Sequence, residues 1–300
     1  MAGIVRCLGE THGELYGAYH GDCIDVMRQL PSRSVGFSVY SPPFGSLFTY
    51  SDSECDIGNN MTEAEFKQHY GYAVREKLRV TMPGRLTAVH CSDIPTTKWK
   101  DGIIATKDFS GDIKTIHEAE GWHFARRITV WKDPVVEMVR TDALNLLHKQ
   151  VLKDSSKSWP GLADYVMLFR APGDNPDPIE HDTQEFPVSL WQKWASPVWM
   201  DIRQTKTLNV EQARENADEK HVCPLQLDLI ERALLMWSNR GDIVLSPFMG
   251  IGSEGHVSLK LNRRFVGVEL KEKYFKVASR NLAMAQAGAV DLFSDTMAAD

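Results

Sequence analysis

The chain has 300 residues, 43% of them hydrophobic, enough to bury a substantial core in one large domain or two modest ones and too apolar for a disordered chain. Its apolar runs fall far short of a membrane span and no basic segment followed by an apolar one opens it, so a soluble, untargeted, cytoplasmic protein is expected. Five cysteines without a Cys-x-x-Cys pair point to a reducing compartment and to no structural metal, while the net charge of −6 leaves polyanion binding to local basic patches. Such patches exist. Residues 1–60 hold three Lys/Arg against seven Asp/Glu, whereas residues 260–280 hold seven against two.

In chain order, Leu15–His20 reads as a strand ending at Gly21-Asp22. Ile24, Met27 and Leu30 follow at helical spacing, with Asp22 at the N-cap position and Pro31 closing the helix. Val35, Phe37, Val39 and Tyr40 suit a buried strand that must stop at Ser41, because Pro42 and Pro43 cannot donate to a ladder. Strand, helix, strand makes a βαβ unit, with Asp22 and Ser41 at carboxyl strand ends, where open α/β sheets place ligands. The two prolines hold the Ser41 hydroxyl, two carbonyls and the Phe44 ring in one stiff geometry that suits a planar, amino-bearing ligand. A plain proline turn ending an edge strand reads equally well from this stretch alone.

The polar stretch 45–60, with Asn59 near its end, is either a functional loop or a solvated one. Residues 62–80 read as a helix and Arg85–His90 as a further strand. From Thr96 onward the rhythm changes, and residues 126–170 hold eight Lys/Arg and five Asp/Glu, with Trp131 and Trp159 among them and Trp191, Trp194 and Trp199 beyond. Basic residues interleaved with aromatics fit phosphate contact and base stacking, and tryptophans in a core fit as well. Candidate nucleic-acid contacts are Asn59, Arg126, Arg127, Lys132, Arg140, His148, Lys149, Lys153 and Lys206.

Residues 216–280 return to α/β alternation. An apolar helix around Leu225–Trp237 leads into a strand at Ile243–Leu245, then Ser246-Pro247-Phe248-Met249-Gly250-Ile251-Gly252-Ser253-Glu254-Gly255, a helix, and the strand Phe265–Glu269. A glycine-rich turn between strand and helix lets backbone approach a ligand and points N–H groups at it. Glu269 lies where an acid reaching ribose hydroxyls belongs. Gly250-x-Gly252-x-x-Gly255 also matches the dinucleotide fingerprint, so an NAD-dependent oxidoreductase is a rival reading; hydride transfer, however, needs neither Pro247-Phe248 nor Ser-Pro-Pro-Phe.

Taken together, Gly21-Asp22-Cys23, Leu30-Pro31, Ser41-Pro42-Pro43-Phe44, the loop from Leu245 to Gly255, Phe265–Glu269 and Tyr274 resemble the S-adenosylmethionine-dependent DNA amino-methyltransferases. The order of motifs resembles the permuted (beta-type) arrangement, in which the catalytic tetrapeptide precedes the recognition region and the cofactor loop comes last. Segments 205–209 and 218–226 resemble the solitary phage and prophage branch. Ser246 departs from the family pattern, which usually has Asp there and would hold the donor's amino group more firmly. The resemblance implies an α/β, Rossmann-like methyltransferase fold with a mixed, mostly parallel sheet and an inserted target-recognition region. Its expected division is a catalytic part at 1–125, recognition at 126–215 and a second, cofactor-binding catalytic part at 216–300.

It further implies catalysis by Ser41, Pro42, Pro43 and Phe44 on a flipped base, without metal. The donor, S-adenosylmethionine, would be held by Asp22, Cys23, Pro224, Gln226, Ser246, Phe248, Gly250, Gly252, Ser253 and Glu269. The implied partner is double-stranded DNA, with a homodimer and no obligatory restriction subunit. Adenine N6 is favoured over cytosine N4, because the solitary branch includes adenine enzymes even though Ser at the first catalytic position commonly accompanies cytosine. An RNA or small-molecule methyltransferase and a catalytically silent DNA-binding regulator are further rival readings.

Overall fold

The computed structural model describes residues 7–43, 62–96, 98–141, 144–208 and 224–297. Strand β1 (Gly9–His12) and strand β2 (Tyr16–His20) form a hairpin, and helix α1 (Cys23–Gln29) starts where expected. The Asp22 carboxylate caps it by accepting from the Ile24 and Asp25 N–H groups, and the helix stops ahead of Pro31. Strand β3 (Phe37–Tyr40) leads to Ser41. Helix α2 (Glu63–Val80) opens on a capping box in which Thr62 and Glu65 satisfy one another's backbone N–H groups.

Strand β4 (Leu86–Ser92), the short pair β5 (Ile94–Pro95) and β6 (Thr106–Lys107) around α3 (Lys98–Asp101), and helix α4 (Phe109–Ala119) follow. Beyond these lie β7 (His123–Val130), α5 (Pro134–Thr141), α6 (His148–Asp154), β8 (Asp164–Arg170), α7 (Val188–Trp194) and β9 (Val198–Trp199). The chain ends with α8 (Leu227–Trp237), β10 (Ile243–Ser246), α9 (Ser253–Lys260), β11 (Arg264–Glu269) and α10 (Glu272–Met297).

Among the described residues nine strands form one sheet in the order β1-β2-β11-β10-β3-β4-β8-β7-β9. From β2 to β4 every neighbour is parallel; β1 and β8 run against them, so the expected mixed, mostly parallel α/β sheet is observed. Alternation along the strands divides the core. Phe37, Val39, Ala88, Val166 and Val244 face α8, α9 and α10, whereas Tyr40, Val89, Met167 and Leu245 face α1, α2 and α4. The boundary expected at 126 falls inside β7, and the expected recognition region shares β7, β8 and β9 with the central sheet.

The site lies where strand order reverses. From β10 the chain crosses through α9 to β11 on one side, and from β3 it crosses through α2 to β4 on the other. The crevice beyond the carboxyl ends of such a strand pair is where open α/β sheets bind ligands. Register pairs join β3 and β10 only at Val244–Phe37 and Leu245–Ser38, so Val39 and Tyr40 continue past the last of them. Among the described residues no helix is long and apolar enough to cross a membrane.

Candidate active site

One edge of the sheet gathers the carboxyl ends of β2, β11, β10, β3 and β4, which carry Asp22, Glu269, Ser246, Ser41 and Ser92. Because β8 runs the other way, its first residue, Asp164, joins them opposite Ser92. Residues scattered through the whole sequence therefore meet at one rim.

The glycine loop after β10 forms one half of the site. Gly250 has φ 53° and Gly252 φ 86°, both in the left-handed region that favours glycine. A Cβ built on Gly250 would meet nothing within 4 Å, which leaves open space above the backbone there. At Gly252, by contrast, a Cβ would come within 3.3 Å of the Ala278 backbone, and Gly252 is the N-cap of α9. Glu269 reaches across from β11: its carboxylate accepts from Gly250 N–H at 2.9 Å and from Lys271 N–H at 2.8 Å.

The oxygens Ser246 Oγ, Ser253 Oγ and Gln226 Oε1 are buried without a hydrogen-bond partner among the described residues. Buried polar atoms normally find one, so each of these oxygens is open to a donor from a ligand. The open space over Gly250, the N-terminal turn of α9 behind Gly252 and the acid on the next strand together make a cradle suited to a nucleoside. Asp22 lies beside Glu269, since Gly21 N–H donates to the Glu269 carbonyl. Burial raises the Asp22 carboxyl even though its two capping bonds oppose this. Cys23 turns its side chain into the core, where burial pushes the thiol well up, so only its backbone faces the rim. Pro224 is half-buried just ahead of α8.

Phe248 joins the two halves. Its ring lies 5.7 Å from that of Tyr40, the residue before Ser41, and 6.4 Å from that of Tyr70 on α2. Beneath them, Lys77 contacts the Tyr40 hydroxyl and lies 3.0 Å from His117 Nε2. Burial pushes the Lys77 ammonium well down, and burial, then Lys77, does the same to His117. This cluster stiffens the strand that carries the hydroxyl.

At the end of β3, Ser41 is half-exposed, Pro42 buried and Pro43 half-buried; Phe44 lies outside the described residues. Ser41 Oγ is 2.9 Å from His90 Nδ1 on β4. His90 Nε2 is 3.3 Å from Asp164 Oδ2, and Lys132 Nζ is 2.9 Å from Asp164 Oδ1.

The expected nucleic-acid contacts divide. Arg126 and Arg127 are exposed on β7, with the Arg127 guanidinium 5.2 Å from the Tyr165 ring, and His148, Lys149 and Lys153 are exposed on α6. Lys132 is only 8% exposed and bound by Asp164 and Glu137, which removes it from the set of solvent-facing cations. Lys206 is half-exposed, with Nζ 2.7 Å from Asp228. Asn59 and the Arg140 side chain lie outside the described residues. Both readings of the tryptophans apply: Trp199 is buried against Trp237, whereas Trp131, Trp159 and Trp191 are exposed. Among the described residues no group of three or more His, Cys, Asp or Glu could hold a metal.

Sequence reasoning missed His90, Asp164 and Glu254. Glu254 stands in the glycine loop's own sequence, where its side chain is 4% exposed and its carboxyl is pushed up to about 8, first by burial and then by Glu269.

Residues 35–280 match the model of the N6/N4 DNA methylase family. The chain is 32% identical over 281 residues to the DNA adenine methyltransferase YhdJ of Escherichia coli K12, an alignment covering 89% of this chain and 82% of that one. Among solved structures, it resembles a Thermus thermophilus DNA modification methylase complexed with S-adenosyl-L-methionine (TM-score 0.66, 21% identity, 90% of this chain and 96% of that one). It also resembles the cytosine-N4-specific PvuII DNA methyltransferase (TM-score 0.62, 15% identity, 93% and 94% of the two chains).

Proposed function

The chain belongs to the N6/N4 DNA methylase family, and from that premise we propose that it methylates the exocyclic amino group of a base flipped out of double-stranded DNA, using S-adenosylmethionine and favouring adenine N6. The observation that carries this reading is the adjacency of the Ser41 hydroxyl and the glycine loop at neighbouring strand ends.

Bound in the cradle, the donor supplies a methyl group already activated by a sulfonium leaving group. The protein's own work is positioning. Gly250 and Gly252 give backbone access, Glu269 receives ribose hydroxyls and Phe248 walls the site towards Tyr40. Ser246 takes the place of a carboxylate with a single hydroxyl. The Ser41 hydroxyl and the Pro42 carbonyl accept N–H bonds from the target amine, pulling its nitrogen out of conjugation so that the lone pair can attack. Arg126, Arg127, His148, Lys149 and Lys153 are positioned on exposed surfaces suited to phosphate contact.

The relationship to an adenine methyltransferase at 32% identity supports the N6 reading. Cytosine N4 is the second reading, favoured by Ser at the first position of Ser41-Pro42-Pro43-Phe44. Mass spectrometry of nucleosides from DNA incubated with protein and S-adenosylmethionine tests both. N6-methyladenine is the expected product; N4-methylcytosine would replace the first reading by the second, and unmodified DNA would refute both.

A further inference from the structure

A serine hydroxyl is an ambiguous choice for gripping an amine. It can accept an N–H bond, or it can donate its own proton to the nitrogen lone pair that has to attack. Three residues beside Ser41 remove the ambiguity.

Ser41 Oγ lies 2.9 Å from His90 Nδ1, and His90 Nε2 lies 3.3 Å from Asp164 Oδ2. The His90 and Asp164 side chains are only 12% and 10% exposed. Burial alone would raise the Asp164 carboxyl, but His90 and Lys132 beside it hold it well below the usual carboxylate range, so it is ionised. His90 Nε2 meets Asp164 as a close charge contact rather than an aligned hydrogen bond, and the field of that carboxylate favours the tautomer with the proton on Nε2. Nδ1 is then an acceptor, and the Ser41 hydroxyl must donate to it, which turns the Oγ lone pairs outward. Lys132 Nζ, 2.9 Å from Asp164 Oδ1 and 3.7 Å from Glu137, balances the buried charge.

We propose that His90, oriented by Asp164, is a positioning residue for methyl transfer: it fixes the Ser41 hydroxyl as an acceptor and receives, through that hydroxyl, the proton the amine gives up. The inference rests on the amino-methylation reading above. In the step, the amine nitrogen's lone pair forms a bond to the methyl carbon while the methyl–sulfur bond breaks, its electron pair staying on sulfur. The methylated nitrogen, now positive, passes one proton to Ser41 Oγ as the original hydroxyl proton moves to His90 Nδ1. The imidazolium so formed is paired with Asp164 and returns its proton to water after turnover. Ser41, His90 and Asp164 together thus supply the acceptor that a single carboxylate or amide would supply at the Ser41 position.

The test is a double-mutant cycle in single-turnover methyl transfer, with donor affinity measured by calorimetry on each variant as a check on folding. His90→Ala is expected to slow transfer about 100-fold. His90→Asn, whose amide oxygen can take the place of Nδ1, should recover about tenfold of that loss by restoring orientation. Ser41→Ala with His90→Ala should be no slower than Ser41→Ala alone, within about threefold, because His90 acts only through the hydroxyl. Losses that multiply in the double variant would overturn the inference while leaving the methylation reading intact; wild-type protein that methylates no DNA would overturn both. Nitrogen-15 NMR of the ligand-free wild-type protein gives a second readout. A protonated Nε2 and bare Nδ1 on His90 are expected, and the opposite tautomer would sink the proposal whatever the variants do.

Discussion

Replacing Glu254 by glutamine should stabilise the protein increasingly as pH rises. Glu254 occupies the second position of α9, is 4% exposed, and has one carboxyl oxygen without a partner among the described residues. Its carboxyl is pushed up to about 8 by burial and then by Glu269. Between the ordinary 4.5 and about 8, the folded chain keeps a proton that the unfolded chain has released. The unfolded state binds fewer protons in that window, so stability is full below about 4.5 and falls until the folded group also ionises. At about 1.4 kcal/mol per pH unit the loss amounts to about 1 kcal/mol at pH 5 and about 4 kcal/mol at pH 8. Glutamine has nearly the same shape and no charge to lose. Urea unfolding of both proteins at pH 5 and pH 8 should therefore show the variant's advantage growing by about 3 kcal/mol between the two. A constant difference across that range would mean that Glu254 is not protonated in the fold, and would refute the reasoning.

Three further outcomes are expected. Glu269→Ala should weaken S-adenosylmethionine binding by about tenfold or more, since it removes both the ribose acceptor and the bond that holds Gly250; unchanged affinity in calorimetry would remove that role. Ser41→Ala should keep donor affinity within about threefold and lower methyl incorporation from tritiated donor by about 100-fold or more; full incorporation would show that the amine is held elsewhere. Gly255→Ala should cost about 1–3 kcal/mol in urea unfolding, because the added methyl would lie 2.6 Å from Phe265 and closer still to Leu282, and an unaltered midpoint would contradict that packing.

What was legible in the sequence was local or carried by motif. The Asp22 cap, the proline stop after β3 and the glycine turn after β10 each depend on residues within a few positions, and each appears as expected. The parallel order at the centre of the sheet followed from strand–helix alternation. His90 was not legible as part of the site, because a histidine late in a strand carries no signal until the strand's neighbours are known. Its partner Asp164 sits on the antiparallel β8, reached through a long excursion after β7, and no periodicity announces that pairing. Lys132 shows the opposite limit: its type and its basic neighbourhood suggest a phosphate contact, whereas its burial beside Asp164 and Glu137 is a property of the packed fold that no local pattern announces. Glu254 stood in plain view within the glycine loop, but desolvation, which sets its proton affinity, is a property of the packed fold alone.

The brief pairing of β3 with β10 bears on how the molecule comes to exist. It sets Phe37 and Ser38 beside Val244 and Leu245, residues from opposite parts of the chain, and the ladder between them is short. Loop-closure entropy has to be met before such a distant contact returns anything, which is a slow kind of step in folding. No fragment that carries only the serine strand, or only the glycine turn, contains a partial version of this site. Competence for methyl transfer should therefore arrive with closure of the whole sheet, and a lesion that unpairs these two strands should abolish it even where each half keeps its own helices.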